Sequence, residues 1–241
     1  MKNIRNILLV TIPVFILGHT NIEIVICKKE QILTWHDSTH KSMKSESWYC
    51  NNMKDSIYKE WDNKGNIVQK GNYSMNNKHG LWEAIRYTAN GDIYYHTYES
   101  FDKGKIIERR AYRVINNTEL LNGIYSYSYL NIDTICVNRI FDITTGIIVQ
   151  MDTLKNNRVN GTLKLWSPQD GFLYKEILAD NGRIIHEKEF NRNGNIFIKT
   201  FNPNSTTKKE LTYNCQGKLI EEKDYDEKGN LIKHKKKNKK K

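Results

Sequence analysis

The feature that most constrains this chain is a turn that keeps returning. From Tyr58 onward an aromatic or apolar residue is followed three to five positions later by glycine, and then by an apolar strand start. The instances are Trp61 with Gly65, Tyr87 with Gly91, Phe101 with Gly104, Phe141 with Gly146, Trp166 with Gly171, Leu178 with Gly182, Phe190 with Gly194, Tyr213 with Gly217 and Tyr225 with Gly229. Phe201-Asn202-Pro203-Asn204-Ser205 fits with Ser205 at the glycine position. Asn90-Gly91 between β-forming runs is a strong hairpin signal, because both residues accept the positive φ of tight hairpin turns. A second class of turn is expected at Lys78-His79-Gly80, Leu121-Asn122-Gly123 and Val159-Asn160-Gly161. The glycines expected to determine turns are Gly80, Gly91, Gly161, Gly171, Gly182, Gly194 and Gly229.

Successive glycines from 161 to 229 fall 10, 11, 12, 23 and 12 apart, the 23 being a double step through Ser205. Each step fits one strand plus one turn. A strand of six or seven residues spans ~20 Å, so consecutive turns fall at opposite ends of a meander whose natural repeat is two strands in roughly 23 residues. The segments between turns are β-formers, such as Ile93-Tyr94-Tyr95-His96-Thr97-Tyr98 and Ile196-Phe197-Ile198-Lys199-Thr200-Phe201. No stretch has a helical period. Strands without helical crossovers pair antiparallel, which predicts an all-β meander of about a dozen short strands, with cross-strand pairs contributing ~0.2–1 kcal/mol each.

Composition sets the depth of the core. With glycine counted in place of tyrosine, the apolar share of the 241 residues stays at 38%, below the ~45–50% of ordinary globular chains. A thin core follows, as in an extended sheet or solenoid. The net charge of +11 would suggest a nucleic-acid partner if it were spread over the fold. Seven lysines lie in residues 233–241, however, and Lys2 and Arg5 lie in the first twenty residues, which leaves +2 for residues 21–232. No specific nucleic-acid partner is expected. The tail 233–241 is expected to be disordered, and its lysines suit weak contact with an anionic membrane surface.

The N-terminus reads as an export signal. A short basic stretch precedes the uncharged run from Ile7 to Gly18, too short for the ~20 residues of a spanning helix, and Gly18-His19-Thr20 places the cut after Thr20. An N-terminal membrane anchor and a buried first strand are the alternatives. Cys27 follows Ile24-Val25-Ile26, which does not suit lipid attachment. Cys27, Cys50, Cys136 and Cys215 permit one or two disulfides in an oxidising compartment, with free thiols equally compatible. Residues 21–57 are expected to hold a first strand and a polar region, mainly loop from Trp35 to Asp55. His36 and His40 lack the helical context of a metal-binding pair.

Lys78-His79-Gly80-Leu81-Trp82, followed by Tyr87 and Asn90-Gly91-Asp92-Ile93, resembles the bacterial variant of the MORN repeat, a β-hairpin repeat of proteins often labelled YwqK-family antitoxins. Asn160-Gly161-Thr162-Leu163-Lys164-Leu165-Trp166 with Asp170-Gly171-Phe172-Leu173 is a looser copy, and Asn122-Gly123-Ile124-Tyr125 a third. The resemblance covers residues 58–232 and implies an extended, twisted antiparallel sheet in a non-catalytic interaction role, with no catalytic residues to carry over. Tyr225-Asp226-Glu227-Lys228-Gly229-Asn230-Leu231 also resembles the YD repeat of large secreted toxin shells.

No nucleophile elbow, phosphate loop or metal-ligand cluster is present. Ser56-Ile57-Tyr58-Lys59 lacks the companion motifs of Ser-x-x-Lys enzymes, and Glu221-Glu222 and Asp224/Asp226 read as solvated strand faces. No cofactor and no enzymatic activity are expected. Tyr125, Tyr127 and Tyr129 alternate along one strand and form the candidate interaction face, with the packed face of the sheet as the alternative. The expected function is protein–protein interaction at the cell envelope, in the periplasm or at the surface. A toxin-neutralising antitoxin or immunity role and a glycan-binding or glycan-processing role are the rival expectations. Intact-mass measurement of the exported protein should give a chain starting near Asn21; a soluble cytoplasmic chain retaining Met1 would remove the export assignment.

Overall fold

The computed structural model describes residues 4–8 through their backbone, and residues 27, 29–130, 132–201 and 207–236. Among them are nineteen strands and no helix. The strands are β1 (Ile4–Leu8), β2 (Lys29–Trp35), β3 (Met43–Cys50), β4 (Met53–Trp61), β5 (Ile67–Ser74), β6 (Asn77–Tyr87), β7 (Ile93–Asp102), β8 (Lys105–Ile115), β9 (Thr118–Leu130) and β10 (Asp133–Phe141). They continue with β11 (Ile148–Lys155), β12 (Arg158–Val159), β13 (Gly161–Trp166), β14 (Leu173–Asp180), β15 (Arg183–Phe190), β16 (Ile196–Phe201), β17 (Lys208–Tyr213), β18 (Leu219–Tyr225) and β19 (Leu231–Lys236). Paired strands are antiparallel and consecutive, except that β11 is shared by β12 and β13. The chain forms two compact units, Met1–Glu119 and Leu120–Lys241. Of the expected export segment, Ile4–Leu8 is a strand paired with β2; its remainder and the cut after Thr20 lie outside the described residues.

The antiparallel meander agrees with the turn spacing, but the expected dozen strands is too few because four two-residue turns carry no glycine. Asn51-Asn52, Met75-Asn76, Asn116-Asn117 and Asn156-Asn157 have positive φ at both positions, as do Lys103-Gly104 and Asn181-Gly182. These are the mirror-image two-residue turns whose twist matches that of the flanking strands. The loop expected from Trp35 to Asp55 is corrected for the same reason: Asn51-Asn52 joins β3 to β4, and only 36–42 is a long connection.

Five of the longer turns follow one recipe, while Gly146 and Gly171 instead donate to the carbonyls of Asp142 and Ser167 four residues back. The carbonyls of Asp62, Thr88, Asn191, Asn214 and Asp226 accept the N–H of a glycine three residues on, as in Gly91 to Thr88 at 3.1 Å and Gly194 to Asn191 at 2.8 Å. Gly91 (φ 94°) and Gly194 (φ 82°) then sit as left-handed bulge residues where strand pairing resumes. Asn90-Gly91 is therefore part of a longer loop, and Asn90 is not in a left-handed conformation. Side chains complete the loops: Asp62 Oδ1 accepts from the N–H groups of Lys64 and Asn66 at 2.8 and 2.9 Å. In the same way the hydroxyl of Thr144, together with nearby N–H groups, holds the Asp142 carboxyl at about 2.

The second class of turn is corrected. Gly80 lies inside β6, Gly123 inside β9, and Gly161 opens β13 directly after β12. Gly80 and Gly161, with Ser56 in β4, are positive-φ residues in bulges. At Gly80 the register passes from Lys70 opposite Glu83 to Asn72 opposite His79, so β6 carries two extra residues. Two residues before each bulge, at Lys54, Lys78 and Val159, the backbone is bonded to the next two-residue turn. The N–H of Asn76 donates to Lys54 O at 2.8 Å, that of Gly104 to Lys78 O at 2.9 Å, and that of Gly182 to Val159 O at 2.8 Å. Asn76 Oδ1 also accepts the Lys54 N–H at 2.7 Å.

The core is as thin as the composition implies. Among the described residues only Trp82, Ala111, Cys136 and Ala179 are buried apolar side chains. Trp82, 1% exposed, is the largest of them. Its ring meets Tyr73 edge-on at 5.0 Å, stacks on Tyr58 at 5.7 Å and lies beneath Lys78 Nζ at 4.1 Å, and its indole N–H donates to Asn72 O at 2.9 Å. Gly71 makes room for it, since a Cβ there would lie 2.2 Å from the indole. Cys27 and Cys50 form a disulfide across 23 residues, a closure of about 3 kcal/mol on the chain-entropy account. Cys136 and Cys215 are not disulfide-bonded.

In the second unit ion pairs cover the strands in place of apolar burial. Lys209 and Lys233 reach Glu222 at 2.8 and 3.0 Å, and Lys175 lies 3.3 Å from Glu187. The boundary expected at Lys233 is corrected: Lys233–Lys236 belong to β19, paired to β18 because their alternate lysines face Glu222 and Asp224. Residues 237–241 lie outside the described residues.

Two tests follow from this packing. Gly71→Ala should destabilise the first unit by about 1–3 kcal/mol through overpacking against Trp82, measured by denaturant unfolding; an unchanged midpoint would show that the indole has room to move. The bonds from Lys209 and then Lys233 lower the Glu222 carboxyl to about 2 from an ordinary value of 4.5. A depressed carboxylate contributes stability above its unfolded value and loses it as pH falls through the folded one. Protection factors of the β17–β19 amides, measured relative to intrinsic exchange, should therefore fall as pH drops from 4.5 towards 2, and Glu222→Gln should flatten that dependence.

Candidate functional site, an arginine-lined groove of the first unit

Three neighbouring strands build the site. Antiparallel register sets Arg86 of β6 opposite Tyr95 of β7, and Tyr95 opposite Arg113 of β8. The next rows on the same face are Ala84, Thr97 and Ala111, then Trp82, Glu99 and Arg109. Directly opposed residues project from one side of a sheet, so two arginines flank a tyrosine above a floor of small side chains. Thr97 is 9% and Ala111 0% exposed. The floor and the long side chains around it enclose an open groove of about 410 Å³. A second depression of about 540 Å³, reaching Lys64 and Tyr87, shares Ala84, Arg86 and Tyr94 with it.

The charges of the groove are unequally occupied. Arg109 grips one Glu99 oxygen through Nε at 2.7 Å and a terminal nitrogen at 2.5 Å. Arg86 lies with its guanidinium carbon 5.9 Å from the centre of the Tyr95 ring. Among the described residues neither Arg86 nor Arg113 forms an ion pair, and both are exposed. Lys64 at the far end is occupied by Ala89 O at 2.7 Å. The chemistry available is binding: fork-shaped donors for planar or tetrahedral oxyanions, beside an aromatic contact surface.

The opposite face of β6 and β7 carries a second polar cluster. His96, 7% exposed, has Nδ1 2.5 Å from Glu119 Oε1 and Nε2 3.5 Å from Glu83 Oε2, the latter without hydrogen-bond alignment. Tyr98 tilts over the imidazole at 4.3 Å, and Lys70 neutralises Glu83 at 2.9 Å. No group of three His, Cys, Asp or Glu among the described residues is arranged to hold a metal ion. His36 Nε2 donates to Trp61 O at 2.9 Å, and Lys59 pairs with Glu46 at 3.7 Å.

The expected interaction face lies in the second unit and is half-buried. Tyr125, Tyr127 and Tyr129 stand opposite Asn138, Cys136 and Thr134. Tyr125 folds over Gly123, where a Cβ would meet its hydroxyl at 2.9 Å. On that face the buried Asp152 accepts from Asn138 at 2.8 Å and Gln150 at 2.6 Å. Of the expected turn glycines, Gly91, Gly171, Gly194 and Gly229 lie in the longer loops, Gly182 in a two-residue turn, and Gly80 and Gly161 in bulges, all with positive φ. The groove residues Arg86, Tyr95 and Arg113 escaped the sequence reasoning, although Arg86 and Tyr95 lie symmetrically about the Asn90-Gly91 loop.

No protein-family model matches the chain, and no curated protein matches it. Solved structures show remote likeness. A protein of unknown function from Bacteroides fragilis is 11% identical at a TM-score of 0.22, over 59% of this chain and 91% of its own. A TcdB2-TccC3-Cdc42 structure is 9% identical at a TM-score of 0.23, over 82% of this chain and 14% of its own. Likeness at these values carries nothing about function.

Proposed function

We propose that this is an exported, non-catalytic β-hairpin repeat protein of the MORN-variant kind that binds another protein at the cell envelope. The observation that supports it is the Arg86–Tyr95–Arg113 row, whose two arginines are exposed beside a half-buried tyrosine and form no ion pair with carboxylates of the described residues. Arginine and tyrosine are the residue types that dominate protein-binding energy, because each combines broad contact with directed hydrogen bonds. The groove holds one carboxylate, Glu99, and Arg109 already binds it. That favours binding over glycan cleavage, which uses two carboxylates flanking the bond.

Tyr94 borders both depressions and is the place for a photoreactive probe. With Tyr94 replaced by p-benzoylphenylalanine, irradiation of the native envelope should give a discrete adduct with one protein, weakened by Arg86→Gln with Arg113→Gln. Adducts formed from position 127 and absent from position 94 would move the interface to the tyrosine strand β9.

A further inference from the structure

We propose that the occupant of the groove is an acidic segment of the partner protein, with carboxylates of an extended stretch received by Arg86 and Arg113 on either side of Tyr95. The assignment rests on the binding function proposed above and names the chemistry of its ligand. It begins with charge. Arg86, Arg109 and Arg113 line the groove against Glu99 alone, which leaves an excess of two positive charges. Of the three guanidinium groups, Arg109 is occupied within the chain, and the two exposed ones form no ion pair among the described residues. A guanidinium left in this state is a donor fork without an acceptor, and carboxylate geometry matches it with two parallel hydrogen bonds.

Spacing argues for a segment over a small ion. Arg86 and Arg113 are rooted on strands separated by β7, so their backbones stand about 9.5 Å apart at ordinary strand spacing. A single phosphate or carboxylate ion engages one fork, and the second stays empty. In an extended segment, side chains two residues apart point the same way at about 6.6 Å. The flexible arginine stems close the remaining difference. Tyr95 lies beneath the middle of such a segment, giving its ring to the backbone and its hydroxyl to a carbonyl or N–H. Ala84 and Thr97 keep the floor low enough for the chain to lie across it.

The direct test is fluorescence anisotropy of a labelled oligoglutamate peptide with the full chain, at low and at physiological salt. Binding should weaken with salt and should fall by about tenfold or more in Arg86→Gln with Arg113→Gln, since charged hydrogen bonds are removed at both forks. Arg86→Lys with Arg113→Lys keeps the charge and loses the fork, so it should bind at an intermediate level. A chain ending at Lys236 should bind like the full chain. Because both arginines are exposed, far-UV circular dichroism of each variant should match the parent.

Equal binding by the Gln variant, with loss in the chain ending at Lys236, would overturn the proposal in favour of the lysine tail. So would saturable binding of inorganic phosphate or phosphatidylglycerol vesicles at the groove without peptide binding, and so would binding of none of the three. An adduct at position 94 without oligoglutamate binding would refute the acidic segment and leave the binding function standing. Oligoglutamate binding that depends on both arginines, without any adduct, would do the reverse.

Discussion

The hydrogen bonds between successive turns are what the rest of the structure depends on. A hairpin of two strands is marginal in water, and few side chains among the described residues are buried. The bonds from Asn76 to Lys54 and from Gly104 to Lys78 tie each hairpin to its predecessor at a defined offset. Each acceptor lies two residues before a positive-φ bulge residue, Ser56 or Gly80. Once the offset is set, Trp82 lands over Gly71, the one place in its row without a Cβ to exclude it. Burial here is a result of register more than a cause of it.

The same dependence explains the two chemistries of the strand faces. Around Trp82 the rings of Tyr58, Tyr73 and Phe101 concentrate apolar contact in one place. Elsewhere alternating lysine and glutamate on adjacent strands, such as Lys59 with Glu46 and Lys164 with Glu176, supply cross-strand pairs that suit a face in contact with water. Each exposed pair is weak. Their value lies in the penalty for slipping, because a shift of one residue carries a strand's side chains to the other face and opposes like charges.

Much of this was legible. Aromatic–Asp/Asn–x–x–Gly marks the longer loops, since the carboxylate or amide caps the loop's N–H groups and glycine takes the bulge. The Asn-Asn turns escape a pattern that demands glycine at each turn, although asparagine without glycine is also among the residues that tolerate positive φ best. The groove was hidden by a subtler effect. Continued without interruption from Lys103-Gly104, the hairpin of β7 and β8 would set Tyr112 opposite Tyr95, with Arg113 on the far face. A bulge between Ser100 and Phe101 on one side, and Glu108 and Ile106 on the other, shifts the pairing and brings Arg113 into the row. No residue type announces that bulge: the extra residue is Ile107, an ordinary strand former.

β19 carries Lys233, Lys235 and Lys236 on a strand that, among the described residues, pairs with β18. A strand paired on one side is a template for polymerisation, because its outer N–H and C=O groups accept any extended chain in solution. If a second copy approached through the same strand, the symmetric antiparallel arrangement would press the lysines of both copies together. The repulsion acts over about a nanometre at physiological salt, before the backbones meet. Charge along a strand edge thus raises the cost of the encounter while leaving the strand's inner pairing untouched.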